Sequence, residues 1–157
     1  MYHAFFVCLV FLEGCAKLSY PTRNIDSSLL PYVQAWEKES GLRSNLRIKV
    51  NNDSRIQIGL CKVRYEKDFL GRTVRVPFEI EIQEKYFNAF SIEEKQMGME
   101  QVINHELEHC VKGRHNHEDS LLTDGCPASI MYTYTFGHRD CYLEHRARYW
   151  DEVRNAK

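Results

Sequence analysis

The chain has 157 residues, enough for one domain with a core of its own. Hydrophobic residues make up 43% and charged residues 27%, a balance that fits an ordinary soluble globular domain and excludes a disordered chain. With 21 basic against 22 acidic residues, a net charge of -1 and no basic stripe, nucleic acid is excluded as a partner.

The first segment, residues 1–15, reads as an export signal. Ala4 to Leu12 is a continuous apolar run. It is shorter than the roughly 20 residues a bilayer-spanning helix needs, and has the length of a signal's hydrophobic part. The Leu12-Glu13-Gly14-Cys15 that follows resembles a bacterial lipobox. That resemblance implies that Cys15 carries a lipid and becomes the new N-terminus, so that the membrane is met only through this anchor. Residues 16–27, rich in Ser, Thr, Pro and charge, read as a tether, leaving 28–157 as a single domain. Cys61, Cys110, Cys126 and Cys141 are an even number and suit two disulfides in an oxidising compartment, with all three pairings open. No C-x-x-C spacing supports a cysteine-based zinc or redox site.

Leu29, Leu30, Val33 and Trp36 recur at helical spacing after Ser28, and Gly41 is a natural stop. Leu46, Ile48 and Val50 alternate with charged residues as in a strand, and Asn51 to Ser54 is turn chemistry. Ile56, Ile58 and Leu60 share one parity while Cys61, Val63 and Tyr65 continue on the other, which predicts a bulge at Gly59. Val74, Val76, Phe78, Ile80 and Ile82 then repeat with a clean period of two. Pro77 on the opposite parity marks this as an edge strand, because proline cannot donate to a ladder. A long helix follows, opened by a Ser91/Glu94 capping-box pattern and closed by Gly113. Residues 114–137 read as irregular, and a final amphipathic helix is expected from about His138 to Val153. The fold class is therefore α+β, a mixed or mainly antiparallel sheet with two principal helices.

The long helix carries His105-Glu106-Leu107-Glu108-His109, an H-E-x-x-H motif. Residues i and i+4 share a helix face one turn apart, so both imidazoles can reach one metal ion. Glu106, beside the first histidine, can contact a metal-bound water without being a ligand and act as general base when that water attacks a carbonyl. Glu108 lies about 200° around the helix from Glu106 and is expected to matter much less. Cys110 points about 100° away from His109, which favours packing or a disulfide over ligation.

Three features extend the motif: His115 six residues after His109, Gly113 between them, and Met131 within Ser129-Ile130-Met131-Tyr132. In these residues the chain resembles the metzincin clan of zinc metallopeptidases, whose pattern is H-E-x-x-H-x-x-G-x-x-H followed by a Met-turn. The resemblance implies one catalytic zinc held by His105, His109 and His115, Glu106 as the base, and Met131 as the Met-turn beneath the ion. Lys112 occupies the position of the clan's glycine and Gly113 comes one residue late, which leaves His117 as the rival third ligand. The resemblance further implies a small metzincin-like fold, with Tyr132 or Tyr134 near the substrate oxyanion. It also implies that the Val74–Ile82 strand forms the cleft rim and pairs with the substrate backbone.

The expectation is a secreted or lipid-anchored bacterial zinc endopeptidase, monomeric, acting on a peptide or protein. The competing class is a surface lipoprotein that binds zinc without turnover. Intact Glu106 favours the enzyme, since a zinc scaffold alone would not need it.

Overall fold

The computed structural model describes residues 23–53, 57–133 and 139–156. The expected signal with Cys15, the first part of the tether, Tyr134 and His138 lie outside that range. Part of the stretch read as a tether belongs to the fold. Asn24–Ile25 forms a short strand, β1, paired in parallel with Arg47 and Ile48, and Arg23 makes a two-point ion pair with Glu37.

Helix α1, Leu30–Ser40, starts with Pro31 in its first turn, where the missing N–H costs nothing. It stops at Gly41, whose φ of 69° is the left-handed exit only glycine adopts freely. Val33 and Trp36 face inward, as their spacing predicts. The strands are β2 (Arg47–Val50), β3 (Gly59–Lys67) and β4 (Thr73–Ile82), followed by a 3-10 turn at Glu84–Ala89. Helix α2, Ile92–Cys110, opens with both halves of the capping box between Ser91 and Glu94. Helix α3 spans Arg139–Asn155. Among the described residues, no helix is long and apolar enough to cross a membrane.

The class is α+β, with a four-stranded mixed sheet in the order β1-β2-β4-β3. Strands β1 and β2 pair in parallel, β2 and β4 in parallel, and β3 and β4 antiparallel. Helix α2 packs on β3 and β4, and α1 and α3 pack against α2 and each other. The core between these layers is built on Trp36, Ile48, Ile80, Ile82, Val102, Ile103 and Leu107, all essentially without exposure. On the other face of the sheet, Lys49 and Lys62 both bridge Glu79 and Glu81. Burial raises the Glu81 carboxyl and its bonds to Lys62, Lys49 and Asn51 lower it further, with a net value of about 2.

Two strand expectations need correction. The Val74–Ile82 strand is β4 and lies inside the sheet, while β3 is the outer strand. Proline tolerates this place because β2 accompanies only Glu79–Ile82, so Pro77 has just β3 as a neighbour. The bulge is not at Gly59 either. Lys62 pairs with Glu79 and Val63 with Pro77, so Phe78 is the extra residue and the bulge lies in β4.

Candidate metal centre

Helix α2 places His105, Glu106 and His109 where the sheet and the loop after the helix meet. Each helical histidine is held by a backbone carbonyl through Nδ1. His105 donates to Ile130 at 2.8 Å, and His109 makes a short contact with the Arg114 carbonyl. This fixes both tautomers and turns the Nε2 lone pairs inward. The third nitrogen comes from His117, not from His115. His109 Nε2 lies 3.0 Å from His105 Nε2 and 3.1 Å from His117 Nε2, and these three residues form a group able to hold one metal ion. With both Nδ1 atoms donating, the bare Nε2 atoms of His105 and His109 face each other, an approach that a cation between them would make favourable. The donor set therefore fits a metal.

His115 is the correction. Gly113, at φ 71°, turns the chain one residue later than the resembled pattern places its glycine. His115 is thereby carried to the sheet side, where its ring contacts the Arg75 guanidinium. Two residues further on, His117 swings back to face His105 with nearly stacked rings.

Burial pushes the His105 imidazole down to about 4, against the opposing pull of the Ile130 carbonyl, and it lowers His109 as well. Both rings are then neutral near pH 7, the form that binds a metal. Glu106 does not join the ligand group. Burial raises its carboxyl to about 8, while a hydrogen bond from the Cys61 backbone N–H works the other way.

The space around Glu106 is supplied by Gly59, which pattern reading took only for a bulge. A Cβ there would lie 2.6 Å from Glu106 Oε1 and 2.7 Å from both Glu106 Cγ and Val102 Cγ1. The Cys61–Cys110 disulfide ties β3 to the last turn of α2 beside this point, and Cys126–Cys141 ties the following loop to α3. Strand β3 and helix α2 thus wall a cleft of about 570 Å³, onto which Gly59, Arg75, His105, Glu106, His109 and His117 open.

Met131 is fully buried with Ile130, Tyr142 and Tyr149, on the same turn whose Ile130 carbonyl holds His105. Thr133 lines the cleft just beyond this turn. Glu108, on the far side of the helix from Glu106, is wholly buried. It accepts from Trp36 Nε1 at 3.1 Å and pairs with Lys112 and Arg114, each at 3.2 Å. A second grouping, Asp124, Cys126, Glu144 and His145, offers no thiolate because Cys126 is in a disulfide.

Fold and site together define a small α+β domain with a three-histidine candidate metal centre beside a buried glutamate. Compared with known proteins, the chain matches no family model, no curated protein and no solved structure.

Proposed function

We propose that this domain is a zinc-dependent peptidase of the metzincin kind, with His105, His109 and His117 as ligands and Glu106 as general base. The observation that carries the reading is the convergence of three Nε2 atoms at 3.0 and 3.1 Å beside a buried carboxyl that is not part of the group. Nitrogens about 2.05 Å from a tetrahedral zinc stand roughly 3.3 Å apart, close to this spacing. Three protein ligands leave one position open, the pattern of catalytic rather than structural sites.

Bound there, zinc supplies Lewis acidity to a substrate carbonyl and to an attacking water. Glu106 would take the proton from the attacking water and return it to the amine nitrogen as the peptide C–N bond breaks. Burial by itself raises the Glu106 carboxyl, and a cation bound beside it would draw it back toward the charged form that accepts a proton. The outer strand β3 borders the cleft, so an extended substrate can lie along it by strand addition, in the role first assigned to Val74–Ile82. The Met131 turn supports the clan reading by carrying the carbonyl that holds His105. Two disulfides suit an oxidising compartment, in keeping with export and with lipidation at Cys15.

The test is elemental analysis together with chelator-sensitive cleavage of a broad peptide library. His117→Ala should abolish stoichiometric zinc and His115→Ala should retain it; the reverse result would restore His115 as the ligand. Glu106→Gln should keep the zinc and lose about 10²–10⁴-fold in hydrolysis. Zinc-loaded wild type that cleaves nothing would replace this reading with that of a zinc-binding protein without turnover.

A further inference from the structure

The bulge in β4 changes which side chains face the cleft. Directly paired residues of adjacent strands share a face. Cys61 faces α2, since it is bonded to Cys110, and its partner on β4 is Ile80. Strand β3 continues in regular alternation, so Val63 and Tyr65 keep the parity of Cys61. Their partners are Pro77 and Arg75. With Phe78 as the extra residue, the face of Ile80 is continued by Pro77 and Arg75 rather than by Val76 and Val74. The bulge therefore turns a charged residue from the sheet's outer face into the cleft, a recognised use of such irregularities.

Arg75 also differs from the other described arginines of β2, β3, β4 and the β3–β4 turn. Arg47 pairs with Glu79, Arg64 with Glu66 and Arg72 with Asp68. Among the described residues, Arg75 has no carboxylate partner; its guanidinium meets the His115 ring, with one nitrogen separation of 3.1 Å. A guanidinium presents a planar fork suited to a carboxylate. Its position on the cleft wall, shared with the candidate metal ligands, makes it available to whatever occupies the cleft.

We propose that Arg75, flanked by His115, is a carboxylate-recognition subsite of this cleft. The group it takes is an Asp or Glu side chain of a bound peptide or the peptide's free C-terminal carboxylate. As an account of substrate preference this rests on the peptidase reading, but as a binding site it does not.

The test uses the zinc-loaded full chain and matched peptides in two arms. One arm exchanges Glu for Gln at successive positions; the other exchanges a free C-terminus for an amide. Binding is measured by calorimetry on the Glu106→Gln protein, and cleavage on the protein with Glu106 intact. A charge-assisted contact should favour the carboxylate form by about 10- to 100-fold, in the arm that identifies its source. Arg75→Gln should bring that ratio close to one, Arg75→Lys should keep part of it, and Arg75→Glu should invert it in favour of Lys-containing peptides. An Arg75-dependent preference in binding with no cleavage would retain the subsite and overturn the peptidase reading. Cleavage or binding with equal preference for charged and neutral peptides, or a preference that survives Arg75→Gln, would overturn the subsite.

Discussion

Gly59→Ala puts a methyl group where the candidate base now sits. Its Cβ would lie 2.6 Å from Glu106 Oε1 and 2.7 Å from Glu106 Cγ and Val102 Cγ1. Comfortable carbon contacts fall at about 3.5–4.0 Å, so helix and strand must part by roughly 1 Å, or the carboxyl must leave. Neither is easy: Cys61–Cys110 clamps β3 to α2 nearby, and Glu106 is buried and bonded to the Cys61 N–H. The backbone at Gly59 has no left-handed φ, so space rather than conformation forbids the side chain. Overpacking of this kind costs about 1–3 kcal/mol. A carboxylate displaced by about 1 Å should also lose on the order of 10²-fold in turnover. Urea midpoints measure the first effect and peptide cleavage the second, while metal content should stay at the wild-type level because no histidine is touched. In a Glu106→Ala background the stability cost should shrink, leaving only the Val102 contact, and that coupling is the diagnostic. Wild-type stability and turnover in Gly59→Ala would refute the steric argument, and an unchanged cost in the Glu106→Ala background would show that the glycine does not make room for the base.

Two further outcomes are expected. The folded pKa of Glu81, about 2, lies below its ordinary 4.5, so its ion pairs contribute stability that is present above 4.5 and lost as pH falls toward 2. The stability gap between wild type and Glu81→Gln should therefore be full at pH 7 and close on acidification across that window; a gap independent of pH between 7 and 2 would contradict it. Replacing Cys61 and Cys110 together by Ala releases a crosslink with a sequence separation of 49, worth about 4 kcal/mol by loop entropy. The same change at Cys126 and Cys141, with a separation of 15, should cost about 3 kcal/mol, and a larger loss there than at the first pair would reverse the expected order.

The legible parts of this chain were those governed by local rules. The Ser91/Glu94 box, the Gly41 stop and the inward face of α1 depend on neighbours within a turn or two, and each is found as read. The spacing of His105 and His109 is a property of one helix, and their Nε2 atoms meet accordingly. The rest depended on non-local registers. Nothing in a period of two reveals that Phe78 is squeezed out of the ladder, so Pro77 was assigned to the wrong face. Nor does proline alone reveal that β2 is too short to reach Pro77, which made an inner strand look like an edge. His115 was preferred over its rival His117 as the third histidine because one late glycine shifts the path of the whole turn, and it is His117 that joins His105 and His109. The one available signal was Gly113 itself, out of step with the pattern.

The buried Glu108 helps to support a site in which two of the three histidines hang on loop carbonyls. Both carbonyls lead back to one helical carboxylate. Glu152 of α3 accepts from the Ile130 backbone N–H at 2.9 Å and from Ser129 Oγ at 2.6 Å, which fixes the peptide turn that holds His105. The same carboxylate pairs with Arg114 Nη2 at 2.6 Å, the residue whose carbonyl holds His109. Arg114 then bridges to Glu108 on α2, and its backbone N–H returns to the Glu108 carbonyl at 3.1 Å. A buried carboxylate is costly unless every oxygen is used, and this one is saturated by Trp36, Lys112 and Arg114. The two acids therefore act as a clasp closed by Arg114, joining α2, α3 and both loops. The loops contribute geometry and the helices contribute stiffness, the division of labour by which an outer shell holds metal ligands in place. A helix-wheel reading saw only that Glu108 points away from Glu106, when its direction is what lets it anchor the opposite side of the histidines.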